Sequence, residues 1–238
     1  MTAVQIMTAK YKRLIPERIE EAAGQLESRI NERFPHSGLA QVAREILEVA
    51  ENTRERAQFV AQPVVWLRVL IWILVLIILA GVTTTLISVG APAEKLGFTE
   101  FVGVLESGIN DVVFVGIAIF FLLRLEARFK QHKALVALDE LRSLAHVIDM
   151  HQLTKDPTAL TKERIITPSS PKMELNAFQL QRYLDYCSEL LSLIGKLSAI
   201  FAQELDDSTV LAAVNDIESL TTALSRKIWQ KLIILNAM

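Results

Sequence analysis

The chain lacks most of what builds a disulfide-stapled, β-rich or phosphate-loop protein. Its single cysteine, Cys187, excludes an intramolecular disulfide framework and fits a reducing compartment. Glycine and proline are sparse, at 9 and 7 of 238 residues. Apolar and polar residues almost never alternate at period two, so strands have no signature and the expected fold class is all-α. There is no glycine-rich phosphate loop, no HExxH helix and no GxSxG elbow, which removes the usual starting points for an enzyme. With a formal net charge of −2, no basic face dominates and nucleic acid is not an expected partner. A secretory signal would place its apolar core within about the first 30 residues. Here the opening is polar and charged up to Pro63, so the first apolar run is expected to act as an uncleaved anchor.

The most consequential absence is that of charge. From Val69 to Ala93, 25 consecutive residues carry none, and about 20 apolar residues suffice to cross a bilayer core. The run Val64–Gly90 is apolar on all sides, with Trp66 and Trp72 toward one end, unlike the one-sided stripe of a helix in a soluble domain. A second run, Val112–Leu123, is too short alone. It reaches spanning length over 109–128, where flanking arginines can snorkel to the interface. The expected architecture is an all-α membrane protein, a two-span transmembrane helical hairpin with a cytoplasmic helical bundle. Its expected divisions are 1–62, a span at 63–90, an outer amphipathic loop at 91–108, a span at 109–128, and 129–238.

Orientation follows from the flanks. Arg54 and Arg56 precede the first run, and Arg124, Arg128, Lys130 and Lys133 follow the core of the second. The connection carries only Lys95 against Glu94, Glu100, Glu106 and Asp111. Both termini are therefore expected in the cytoplasm of a plasma or inner membrane. An impermeant thiol reagent would then leave Cys187 unlabelled in intact cells.

Three polar groups inside or beside the spans invite chemistry. Arg68, about one turn inside the first span, could pair with Glu126 on an antiparallel second span, or simply snorkel. Asn110 and Asp111 could line an ion or proton path between subunits; the plainer account makes Asp111 a helix-start carboxylate favoured by the N-terminal dipole. Three of the four histidines lie between His132 and His151. On one helix Arg142, His146 and Asp149 share a face, while His151 sits about 140° from His146. A His146–Asp149–His151 metal site therefore needs the helix to fray near Met150. The expectation is instead a polar network of Arg142, His146 and Asp149, without metal or cofactor.

The remaining periodicity is helical. Ile15, Ile19, Ala22, Leu26, Ile30 and Phe34 recur at three and four, and after Pro35–Gly38, with Ser37 as N-cap, a second stripe runs from Leu39 to Val60. These faces are expected to cover the C-terminal half; the alternative is an independent coiled coil or partner dock. The apolar face beyond the second span continues without proline to Pro157, with Asp156 as the next cap. Ser170 could cap the helix after the Pro168–Pro171 linker. Leu180, Leu184, Cys187, Leu191, Ile194, Ser198 and Phe201 follow coiled-coil spacing, with a second apolar face through Tyr183, Leu190, Leu193 and Leu197. Asp207 caps a partner stripe from Val210 to Leu235, giving an antiparallel pair. The C-terminal Arg226, Lys227, Trp229 and Ile233 could rest on the inner leaflet, though the end of the bundle is the simpler reading.

The functional expectation is a non-enzymatic, oligomeric, membrane-anchored scaffold, adaptor or regulatory subunit. Its partners would be the lipid bilayer, further copies of itself and a protein bound to the cytoplasmic helices. The alternatives are a subunit of an oligomeric channel or transporter lined by the second span, and a metal-dependent enzyme or sensor at the His146 cluster.

Overall fold

The computed structural model describes residues 13–62, 65–90, 98–160, 167–170 and 173–238. The elements are α1 (Pro16–Arg33), α2 (Gly38–Ala61), α3 (Val65–Gly90), α4 (Phe98–Leu153), a 3-10 turn (Pro157–Leu160), α5 (Ala177–Glu204) and α6 (Ser208–Asn236). No strand occurs among the described residues. The chain divides into two units, one formed by 1–61 with 131–238 and the other by 62–130.

The first unit is a helical bundle with one apolar core. Every position of the α2 stripe is buried: Leu39, Val42, Ala43, Ile46, Val49, Ala50, Thr53, Ala57 and Val60. From α1, Ile19, Ala23, Leu26 and Ile30 enter the same core; Ala22, expected there, is exposed and its neighbour Ala23 takes the inward position. Both N-terminal helices pack on α5. The faces of 1–62 thus cover the C-terminal half, as the short stripes predicted. α5 buries both of its apolar faces, because it is packed from several sides at once. α6 buries the expected stripe, Val210, Val214, Ile217, Thr221, Leu224, Ile228, Leu232 and Leu235.

The helix ends obey local chemistry. Ser37 Oγ accepts from Ala40 N at 3.1 Å, and Asp207 Oδ1 accepts from Thr209 N and Val210 N at 2.9 and 3.0 Å, satisfying amides that have no partner within the helix. Asp156 Oδ1 accepts from Thr158 N at 3.0 Å to open the 3-10 turn at Pro157. Ser170 does not cap a helix. Its hydroxyl accepts from Thr167 N at 2.9 Å, closing a local turn. α5 starts seven residues later, where Asn176 and Gln179 form a reciprocal capping box, the stronger arrangement because it satisfies two amides together.

Contacts along the bundle set the directions. Gln131 Nε2 donates to Asp207 Oδ1 at 3.1 Å and Lys231 Nζ to the Gln152 carbonyl at 2.5 Å, so α6 runs alongside the 131–153 part of α4 in the same sense. α2 runs the other way: Phe59 lies under Lys133 Nζ at 4.4 Å, and Gly38 abuts the ring of His151. The chain therefore leaves the bundle after Ala61 and re-enters at Gln131 at neighbouring points of one end.

The second unit holds α3 and the first part of α4. Two helices are long and apolar enough to span a membrane. Their apolar windows are 6% and 0% buried, the opposite of a soluble core helix. Trp66, Trp72, Leu76, Ile77, Phe114, Ile117 and Phe121 are all exposed. Three threonines in α3 would be costly in an apolar solvent, and two satisfy themselves locally: Thr83 Oγ1 donates to Ala80 O at 3.0 Å and Thr84 Oγ1 to Ala80 O at 2.9 Å, the back-bonding that lets hydroxyls live in apolar helices.

α4 is a single helix of 56 residues, about 84 Å at the usual rise. The expected division between an outer segment at 91–108 and a span at 109–128 is not a helix break. Residues 98–108 are the first turns of the same helix, and 91–97 lie outside the described residues. No proline interrupts 98–153. Each helical glycine costs only about 1 kcal/mol against alanine, too little to terminate a helix this long.

Candidate functional site

The sequence candidates separate into those that α4 carries within the apolar unit and those at its far end. In the apolar unit Glu126 is buried and ion-paired with Lys130 on its own helix, Oε1 to Nζ 2.9 Å. Lys130 is thus one partner of the carboxylate on its own helix; Arg68 is exposed on α3. Asn110 is exposed. Asp111 belongs to α4, and its side chain lies outside the described residues. Because α4 begins at Phe98, Asp111 sits more than three turns inside the helix, so the N-terminal dipole, which acts within the first turn, does not favour a carboxylate there.

At the far end, the polar network forms around other residues than those expected. Arg142 and His146 are exposed. Asp149 instead accepts from Gln152 Nε2 at 2.5 Å and faces Lys227 Nζ at 3.9 Å. The helical phase explains this. Asp149 and Gln152, one turn apart, turn toward α6, whereas His146 points to solvent. No group of three potential metal ligands converges among the described residues, and His151 turns away to lie against Gly38.

The result is a latch at the end of α4. Gln152 is 1% exposed, and its main-chain carbonyl is one of the terminal acceptors that a helix cannot satisfy internally. Lys231 supplies the donor, and a cation at a helix C-terminus is favoured by the dipole as well. Burial pulls the Lys231 pKa down, opposed by Asp156, Asp149 and Cys187. The His151 ring fills the space that a side chain at Gly38 would occupy. Burial, then the charge of Lys155, lowers its pKa, so the neutral imidazole is the form that fits. Lys155 Nζ lies 5.3 Å from the Tyr183 ring centre, and burial raises the Tyr183 pKa.

Gly38, Gln152 and Lys231 carry no sequence signal as a set. Gln152 and Lys231 are 79 residues apart, and Gly38 reads as an ordinary break between stripes. Cys187, at 0% exposure, has its thiol pushed up to about 12 by burial. It is unreactive on either side of a membrane, so the labelling experiment expected to report topology through Cys187 carries no information about it.

No protein-family model, curated protein or solved structure matches the chain. Function must therefore be argued from its own geometry.

Proposed function

We propose that this protein is a membrane-anchored helical interaction protein, a scaffold, adaptor or regulatory subunit rather than an enzyme, acting as an oligomer. α3 and the 109–128 part of α4 form a hairpin across a cell membrane. Both termini and the bundle lie in the cytoplasm. The observation that carries this reading is the pairing of two exposed apolar helices with adjacent exit and re-entry points, Ala61 and Gln131, in one bundle. Adjacent flanks support a hairpin of two crossings, which would return the chain to the side it left. The excess of Arg and Lys on those flanks favours the cytoplasmic side.

Topology is tested with cysteines placed where reagents reach, in a Cys187→Ala background. Glu106→Cys is expected to react with an impermeant maleimide in intact cells, and Arg142→Cys only after permeabilisation. The protein is expected to stay in the membrane pellet at alkaline pH. Identical labelling of the two positions in intact cells, or release by alkali, rejects the hairpin.

A further inference from the structure

The face of the bundle formed by α1 and α5 offers a groove that the packing of the described residues leaves open. The two helices run antiparallel. Leu14 N donates to Gln203 Oε1 at 2.8 Å at one end, Arg29 pairs with Glu189 at 2.8 Å further along, and Phe34 meets Tyr183 edge-on at 5.5 Å at the other. Between these crossings lies a cavity of about 500 Å³, within the range of ligand-sized clefts. Ile15, Ile19, Leu26 and Leu193 form its floor. Its lining carries Arg13, Arg18, Arg29 and Lys196 against the single acid Glu189, a basic surface on a chain whose net charge is −2. Glu204 engages Arg13 at 2.7 Å. Arg18 and Lys196 make no ion pair among the described residues, and Lys196 is spent only on Ser192, whose carbonyl it meets at 3.3 Å.

The placing of the cations narrows the occupant. Arg13 and Arg29 are already engaged by Glu204 and Glu189, which leaves Arg18 on α1 and Lys196 on α5, one from each wall of the groove, to meet an incoming charge. Cations on both walls of an apolar floor match a helix that lays its apolar stripe in the groove and sets acidic side chains along its edges. The chain's own residues 1–12 directly precede the groove, yet they contain Lys10 and Lys12 and no acidic residue, the wrong sign for it.

We propose that the α1–α5 groove docks an acidic amphipathic helix of a partner protein. This inference rests on the interaction-protein reading above and names the chemistry of its partner. It is tested with the full chain in zwitterionic nanodiscs and a fluorescent synthetic peptide of about four helical turns, with leucines at heptad a and d positions and glutamates flanking them. A control peptide carries lysine in place of each glutamate, and protein-free nanodiscs set the baseline. The acidic peptide is expected to bind saturably, and the basic one not. Arg18→Glu with Lys196→Glu is expected to weaken binding about tenfold or more, as rim charge reversal does, with unchanged circular dichroism. Lys133→Glu, on another face, is expected to bind as the parent does. Equal binding of both peptides, or no effect of the double reversal, overturns the proposal. So does displacement of the peptide by vesicles of anionic lipid, which assigns the groove to a membrane surface instead. A chain that resists alkaline extraction yet fails to bind the peptide loses this inference alone; a chain released by alkali loses the membrane reading whatever the peptide does.

Discussion

α4 and α5 are both long and largely apolar, yet they use their apolar residues in opposite ways. α5 places Leu184, Leu190, Ile194, Leu197 and Phe201 inside a core, all essentially inaccessible. Over its first half α4 turns Val112, Phe114, Ile117 and Phe120 outward, all exposed, and among the described residues it buries apolar side chains only from Ala134, with Ala137, Leu138, Leu141 and Ile148. The same covalent helix thus goes from exposed to buried apolar residues along its length. The chemistry marks the change: where α5 has Arg182, Asp185, Glu189 and Lys196 on its outer side, α4 has no charge between Val112 and Leu123. Apolar content alone does not distinguish a core helix from a spanning one; the polar residues that decorate the other face do.

The largest expected effects break that contrast directly. Leu184→Ala is expected to lower bundle stability by about 2–5 kcal/mol, because it leaves a cavity in a packed core. Ile117→Ala, at an exposed position, is expected to stay within about 0.5 kcal/mol. Chemical unfolding in detergent, followed by circular dichroism, measures both. An equal loss at Ile117 would mean that the α4 face is packed against protein rather than lipid. Next, Ile77→Arg is expected to impair membrane integration of α3 by about 2.5–3.5 kcal/mol, the insertion cost of a central arginine. The readout is the fraction that resists alkaline extraction, and full resistance would remove α3 from the bilayer centre.

Smaller effects sharpen the boundary at the latch. Gly38→Ala drives a methyl into the His151 ring and is expected to cost about 1–3 kcal/mol as overpacking. A second change, His151→Ala, is expected to recover part of that loss, so the two are non-additive in a double-mutant cycle. Additivity would show that the ring gives way freely. The smallest effect is a slope with pH. Because the folded pKa of His151 lies below its ordinary 6.5, the unfolded chain binds the proton more readily. Stability is then expected to be intact above about pH 6.5 and to fall as pH drops from there toward the folded pKa. His151→Gln is expected to flatten this slope, as measured by denaturant midpoints across that window.

Legibility from sequence followed how local the cause was. The stripes of α2, α5 and α6, the caps Ser37, Asp156 and Asp207, and the continuation of α4 past the second span all depend on residues within a few turns, and these were readable. The Ser170 cap misled because a serine before proline resembles a helix start, while the true capping box at Asn176 lies just beyond the linker. The Arg142–His146–Asp149 network misled for a different reason. Helical phase puts the three on one face, but which side of that face meets α6 depends on packing, and the packing favoured Gln152 and Lys227.

By itself the sequence determined which segments are helical, which two can cross a membrane, and which flanks carry the positive charge, since periodicity, length and charge are properties of single segments. Only the tertiary structure decided that the N-terminal hairpin completes the C-terminal bundle, that Ala61 and Gln131 lie at neighbouring points, and that Lys231 and His151 secure the end of α4. Each of these joins residues far apart in the chain, where the gain from contact must exceed the entropy of closing the intervening loop, and no local pattern records which pairs achieve it.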